Sequence, residues 1–388
     1  MTPPDLRAVR AQLPALAATT YLNSGAIGPL CLPAARALAE WAEAAPRRAR
    51  GSLEGFGRIS AQAAAVRAAA ARLVGAGPET VALTANTTHG LNLAAWGIDW
   101  RPGDEIVTTA LEHPGLPVPL AVVARRTGAR LRVIGAERAG GDLERAVAEV
   151  AGPRTRLVAL SHVSWSTGAV LDVPGAARAA RAVGALVAVD GAQAVGTIPV
   201  DAAALGADAY AFPAHKWLLG PEGLGALWVR PEAMARIDVT VTGLESAAGG
   251  AAHGEDGAME PHPTARRYEA STAPAALLAA WEASMAWLEG LGWGWIHGRV
   301  REAQAATREA LSAIAGVEVL TPPGPQGGLV TFTVAGRAPA EAAAELAAMG
   351  VVVRSLPRPA ALRASVGFFT DEADVARLAA GVAAVSSC

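Results

Sequence analysis

Between about residues 80 and 230, short β-rich apolar runs alternate with stretches of helical composition. The runs are TVALTA, DEIVTT, RLRVIG, RLVALS, ALVAVD, DAYAFP and LGALWV. Stretches between them, such as PGAARAARAVG, begin or end at Pro or Gly, as helices do. The alternation predicts an α/β chain whose mainly parallel sheet is covered by helices. Loops at the ends of such a sheet are where chemistry is expected.

Residues 239–267 show little periodicity and predict a long surface loop or lid. A strongly helical run follows, APAALLAAWEASMAWLEGL. After it LVTFTVAG, PAEAAAELAAMG, VVVRSLP, LRASVGF and EADVARLAAGVAAV mix β-rich and helical patches, predicting a small α/β domain that starts near residue 290. A length of 388 residues agrees, since it exceeds what one core usually organises.

Composition narrows the class. Hydrophobic residues make up 52% and charged residues 18%, which predicts a soluble globular chain and excludes a disordered one. Acidic and basic residues nearly cancel, 35 against 33, so no general field attracts nucleic acid. Arg47, Arg48 and Arg50 form the one local basic group and read as a solvated helix end. Cys31 and Cys388 are too few for a disulfide framework and badly spaced for a metal site, which fits a reducing cytoplasm. No stretch has the apolar character of a signal peptide or a membrane span.

The most informative segment is ALVAVDGAQAVG, where an apolar strand ends in Asp190. A carboxylate there sits where open α/β sheets bind ligands, although a lone Asp at a strand end is more often a cap or a turn. Further on, AHKWLLGPEGLG sets Lys216 in apolar surroundings beside Trp217 and Leu218. Desolvation disfavours the ammonium form, so such a lysine can act as a nucleophilic amine. A Schiff base to an aldehyde needs that amine, and a pyridine ring acts as an electron sink only while its nitrogen stays protonated, a proton Asp190 can hold. In TANTTHGLN, Thr87 and Thr88 stand at a strand-to-helix junction and can cradle a phosphate, or serve as ordinary N-caps.

With these segments together, the chain from YLNSGAIGP to LRASVGFFTDEADV resembles class V aminotransferase-fold enzymes of the cysteine desulfurase and isopenicillin N epimerase type. The resemblance implies the pyridoxal 5'-phosphate (PLP)-dependent transferase fold type I. Residues 1–20 would then be an N-terminal segment packed with the small domain, 21–290 the large PLP-binding domain and 291–388 the small domain. It implies that Lys216 of the His215-Lys216 pair forms the internal aldimine, that Asp190 pairs with the pyridine nitrogen and that Gln193 bonds the phenolic oxygen. Thr87, Thr88 and His215 would reach the phosphate, and His113 of LEHPG would stack on the ring. YEAST resembles a segment whose threonine, Thr272 here, reaches the phosphate of a neighbouring subunit's cofactor, which implies a homodimer. In LRAS, Arg363 matches a carboxylate-binding arginine, and Arg354 of VVVRS matches a second one.

Three features depart from the family's desulfurases. Those enzymes keep a mobile loop with a nucleophilic cysteine between the two arginines, where this chain reads RSLPRPAALR. Trp165 stands in SHVSWSTG where they have an asparagine near the ring. Pro213 and Ser271 replace a serine and a glycine. The cofactor ligands remain, and the desulfurase mechanism is not expected. By family analogy the expected reaction is β-elimination from an S-substituted cysteine, with Lys216 removing the α-proton; transamination and epimerisation are the alternatives. A nucleotide-binding dehydrogenase would need G-x-G-x-x-G after an early strand, and GPEGLG instead precedes one. A non-catalytic binding protein has no need of Lys216 and Asp190.

Overall fold

All seven apolar runs between residues 81 and 229 become strands of one sheet. Their spatial order is Val81–Thr84, Gly225–Val229, Ala209–Pro213, Leu186–Asp190, Thr155–Ser161, Glu105–Thr109 and Arg130–Ile134. Gly225–Val229 runs antiparallel to both neighbours, and the other adjacent pairs are parallel. The computed structural model describes residues 3–250, 258–324 and 326–386.

Successive side chains of a strand point to opposite faces. Val187 and Val189 enter one apolar cluster with Val158, Leu160, Phe212 and Trp228. Leu186 and Ala188 enter a second with Leu157, Ala159 and Leu227. Covered on both faces, the central strands need apolar residues at nearly every position, which is why they read as continuous runs. Helix Thr87–Trp96 lies on the second face, through Leu91, Leu93 and Ala94. Its N-terminus is fixed by Asn86, whose side chain accepts from the His89 N–H at 2.9 Å.

The C-terminal patches form an antiparallel sheet in the order Arg354–Pro357, Ala360–Ser365, Leu329–Val334 and Val317–Val319. Helices Pro339–Ala348 and Glu372–Ser386 cover it around Phe332, Leu346, Leu362, Leu378 and Val382. The segment before residue 21 serves both parts. Val9, Leu13 and Leu16 join the first large cluster, whereas Arg10 reaches Asp371 and Asp374, and Thr20–Tyr21 pairs in parallel with Val351–Val352.

Within 239–267 the structure has more order than the sequence predicts. Leu244–Ser246 and Ala265–Tyr268 are short 3-10 turns, Ala247 and Pro261 bridge, and buried Tyr268 donates to the Ile237 carbonyl at 2.7 Å. Residues 251–257 of that stretch, and Cys388, lie outside the described residues. No described helix is long and apolar enough to cross a membrane.

Candidate active site

The chemistry-bearing residues follow the carboxyl ends of strands that share one direction, so they gather along one edge of the large sheet. Asp190 ends Leu186–Asp190, His113 follows Glu105–Thr109, Lys216 follows Ala209–Pro213, and Thr87 opens the helix after Val81–Thr84. Asp190 is buried, and its Oδ1 accepts the Ala192 N–H at 2.8 Å. Burial raises its pKa, opposed by Lys216 and by that N–H. Gly191 is required beside it, because a Cβ there would lie 2.1 Å from the Tyr210 ring.

Burial pushes the Lys216 amine down to about 8, against the pull of Asp190 and with help from Arg363 and Arg354. At pH 8 about half of it is neutral, compared with roughly 1 in 300 for an ordinary lysine. Lys216 as a whole residue keeps some accessible surface. This is the juxtaposition the sequence points to: a reactive amine within the field of a buried carboxylate.

His113 is pushed down to about 4, by burial first and then by Lys216, Arg354 and Arg363, and is therefore neutral. Its Nδ1 accepts the Gly115 N–H at 3.1 Å, which places the ring proton on Nε2. Gly115 is packed so closely that a Cβ would lie 2.4 Å from Thr88 Oγ1, which ties the LEHPG loop to the helix start. Thr87 is buried and Thr88 partly so, both in the first turn, where backbone N–H groups point outward. His215 has a buried Nδ1 with no partner.

Gln193 is more constrained than the sequence suggests. Its Nε2 donates to the Gly25 carbonyl at 2.9 Å and its Oε1 accepts from the Trp217 indole at 3.0 Å. An indole N–H only donates, so the amide's orientation is fixed and one Nε2 hydrogen remains to offer a ligand.

Arg363 is 1% exposed. Its Nη1 donates to the Trp165 carbonyl at 2.8 Å, while Nε and Nη2 are buried without partners. Those two nitrogens are the side-on fork that a carboxylate engages with two parallel bonds. Arg354 pairs with Arg363 across adjacent antiparallel strands. Burial, then Arg354, pushes Arg363 down to about 9, still charged at neutral pH. Arg354 is half-buried, and among the described residues neither arginine has an ion-pair partner.

Trp165 stands between the two halves of the site. Its ring meets His113 edge-on, with centroids 5.0 Å apart at 89°, and the Arg363 guanidinium lies 6.0 Å from its centroid. Thr272 is exposed with φ of 21°, and no hydrogen bond links it to this cluster among the described residues. The segment before it is anchored by Glu269, which is paired with Arg67 at 2.9 Å and accepts the Leu83 N–H at 2.8 Å. Sequence reasoning passed over Glu112, buried directly before His113; its one signal was a carboxylate next to that histidine in the loop after Glu105–Thr109. No group of described residues could hold a metal ion.

Residues 21–378 match the family Aminotransferase class-V. The chain belongs to the class-V aminotransferase family. Among its class-V relatives, the probable cysteine desulfurase of Methanothermobacter thermautotrophicus is 31% identical over 89% of this chain and 86% of its own length. Isopenicillin N epimerase of Streptomyces clavuligerus is 32% identical over 81% and 82%. Among solved class-V structures, the cystine C-S lyase C-DES in complex with its reaction product cysteine persulfide superposes with a TM-score of 0.90 at 30% identity, covering 96% of this chain and 99% of that one. A lysine-to-alanine mutant of C-DES, with glycine covalently linked to the PLP cofactor, gives the same TM-score over 98% and 99%. In this class-V chain the two arginines are joined by a tight hairpin, Arg354–Pro357 turning through Arg358 and Pro359 into Ala360–Ser365.

Proposed function

We propose that this protein is a PLP-dependent C–S lyase that acts on an S-substituted cysteine. The observation that carries the reading is the buried Lys216 amine, about half neutral near pH 8, beside the buried carboxylate of Asp190. The surrounding residues fit PLP: an unpartnered His215 Nδ1 and the helix start at Thr87 and Thr88 suit its phosphate, and neutral His113 suits stacking on its ring. Lys216 would hold the aldehyde carbon, Asp190 the proton on the ring nitrogen, and the free Nε2 hydrogen of Gln193 the phenolic oxygen. When bound, PLP supplies the electron sink for charge developing at the substrate's α-carbon.

The chain's own residues do the rest. The free fork of Arg363 takes the α-carboxylate, with Arg354 adding positive charge, and this fixes the α-carbon relative to Lys216. Lys216 Nζ takes the α-proton, as an amine with pKa near 8 can at neutral pH. The sulfur substituent leaves Cβ and is protonated to a thiol, and the released aminoacrylate takes up water to give pyruvate and ammonia. By the family resemblance Thr272, exposed on its own subunit, would reach the phosphate of a second copy's cofactor, and the proposed working form is a homodimer.

Two observations favour a lyase without a persulfide relay. The tight hairpin between Arg354 and Arg363 contains no cysteine. Cys31 is fully buried and burial raises its pKa, which suppresses the thiolate. Product analysis on a panel of S-substituted cysteines tests the proposal: pyruvate and ammonia in equal amounts are expected. A keto acid that retains the side chain points to aminotransfer, and inversion without loss of atoms points to epimerisation; either refutes the lyase.

A further inference from the structure

Glu112 lies under the site, and nothing in the proposed reaction uses it. It is 6% exposed. Its Oε1 accepts from Thr109 Oγ1 at 2.6 Å and its Oε2 from Ser161 Oγ at 2.5 Å. Thr109 and Ser161 end two adjacent parallel strands, Glu105–Thr109 and Thr155–Ser161. Ser161 is in register with Asp190 on the next strand, so Glu112 is separated from Asp190 by a single serine.

Two buried carboxyl groups so close together cannot both be anionic cheaply. Asp190 has Lys216 in its field and a backbone N–H on Oδ1. Glu112 has the two hydroxyls and the Ser161 backbone N–H as donors, and no cation pairs with it among the described residues. The other titratable groups nearby leave it uncompensated. His113, its chain neighbour, is neutral. His162 and Tyr210 are engaged with each other at 2.9 Å. Burial, with a smaller push from Asp190, holds Glu112 up near 7 against the lowering effect of the two hydroxyls and the Ser161 N–H.

We infer that Glu112 is a positioning residue acting through Asp190, which carries a proton in the empty site and releases it to solvent when a cationic ring nitrogen is seated against Asp190. The seated cation neutralises Asp190, which removes the part of the cost of ionising Glu112 that Asp190 adds to burial. The two hydroxyls then hold the Glu112 anion in place, and the negative potential at the ring nitrogen grows. One O–H bond of the carboxyl is broken and the proton passes to buffer, so charge balances: one cation is gained and one further anion faces it. This rests on the assignment of Asp190 as the partner of the PLP ring nitrogen.

Calorimetric titration of the apo protein with PLP at pH 6.5, in two buffers of different ionisation enthalpy, counts the protons exchanged on loading. Lys216 contributes equally in native protein and in Glu112→Gln, which keeps the shape and a hydrogen-bonding group while it cannot ionise. The native protein is expected to release more protons than the variant, by up to about one per site. Equal counts overturn the inference. The double variant Thr109→Val, Ser161→Ala strips the anion's two hydroxyl donors and leaves the backbone N–H of residue 161, so its release should move to higher pH; an unchanged pH dependence also overturns the inference. If the native protein does not bind PLP, the cofactor assignment falls as well. Binding with equal proton counts refutes Glu112's role alone.

Discussion

Arg363→Lys separates two contributions that one residue makes. The native guanidinium is buried, one nitrogen is spent on the Trp165 carbonyl, and Nε and Nη2 are free. Lysine retains the positive charge and loses the fork, so a carboxylate that had two charge-assisted bonds retains one at best. A hydrogen bond to a charged group contributes about 1.5–3 kcal/mol. At 1.4 kcal/mol per factor of ten, substrate binding should weaken roughly 10- to 140-fold. The charge also lowers the Lys216 pKa, and the variant keeps it, so the pH dependence of PLP attachment should stay as in the native protein. Spectral titration with an unreactive amino acid gives the affinity, and attachment rates across pH 6–9 give the second quantity. Binding within about threefold of native would refute the fork as the carboxylate site.

Further expectations follow from the same geometry. Lys216→Ala should lose the visible absorption band of covalently held PLP, and a band surviving denaturation would remove Lys216 from its role. Asp190→Asn removes the influence that raises the Lys216 pKa, so the pH profile of PLP attachment should move to lower pH. Gly191→Ala forces a Cβ to 2.1 Å from the Tyr210 ring and should cost about 1–3 kcal/mol in denaturant unfolding; an unchanged midpoint counts against that packing. His162 is buried and pushed down by burial from 6.5 to about 4. Its folded pKa lies below the unfolded one, so the stability it contributes is present above pH 6.5 and lost as pH falls towards 4. The loss is on the order of 3 kcal/mol at pH 4, and unfolding midpoints of His162→Gln should be less sensitive to pH across that window.

The two parts of the site differed in how they could be read. Asp190 and Lys216 were visible because they fall after successive apolar runs and together supply the carboxylate and the amine that a Schiff-base cofactor needs. Thr87 was visible at its strand-to-helix junction with a phosphate cradle and an ordinary cap both open, and His113 only through resemblance, since a histidine in a loop has common structural roles. Gln193 was found with its role incomplete: sequence could not show that Gly25 and Trp217, distant in the chain, occupy both ends of its amide. Trp165 was seen as a departure, but its position between His113 and Arg363 needs three segments brought together.

By itself the sequence determined the seven strands of the large sheet and its mainly parallel character, because burial on both faces imposes continuous apolar runs that local composition records. It also pointed to a carboxylate and an amine after two of those runs, Asp190 closing ALVAVD and Lys216 three residues beyond DAYAFP. Tertiary structure alone decided which ionisable groups are unpaired. The free fork of Arg363, the orphaned His215 Nδ1 and the uncompensated carboxyl of Glu112 depend on partners present or missing across strands and loops far apart in sequence. Charge state in a buried site is a sum over neighbours in space, and a linear pattern does not contain that sum.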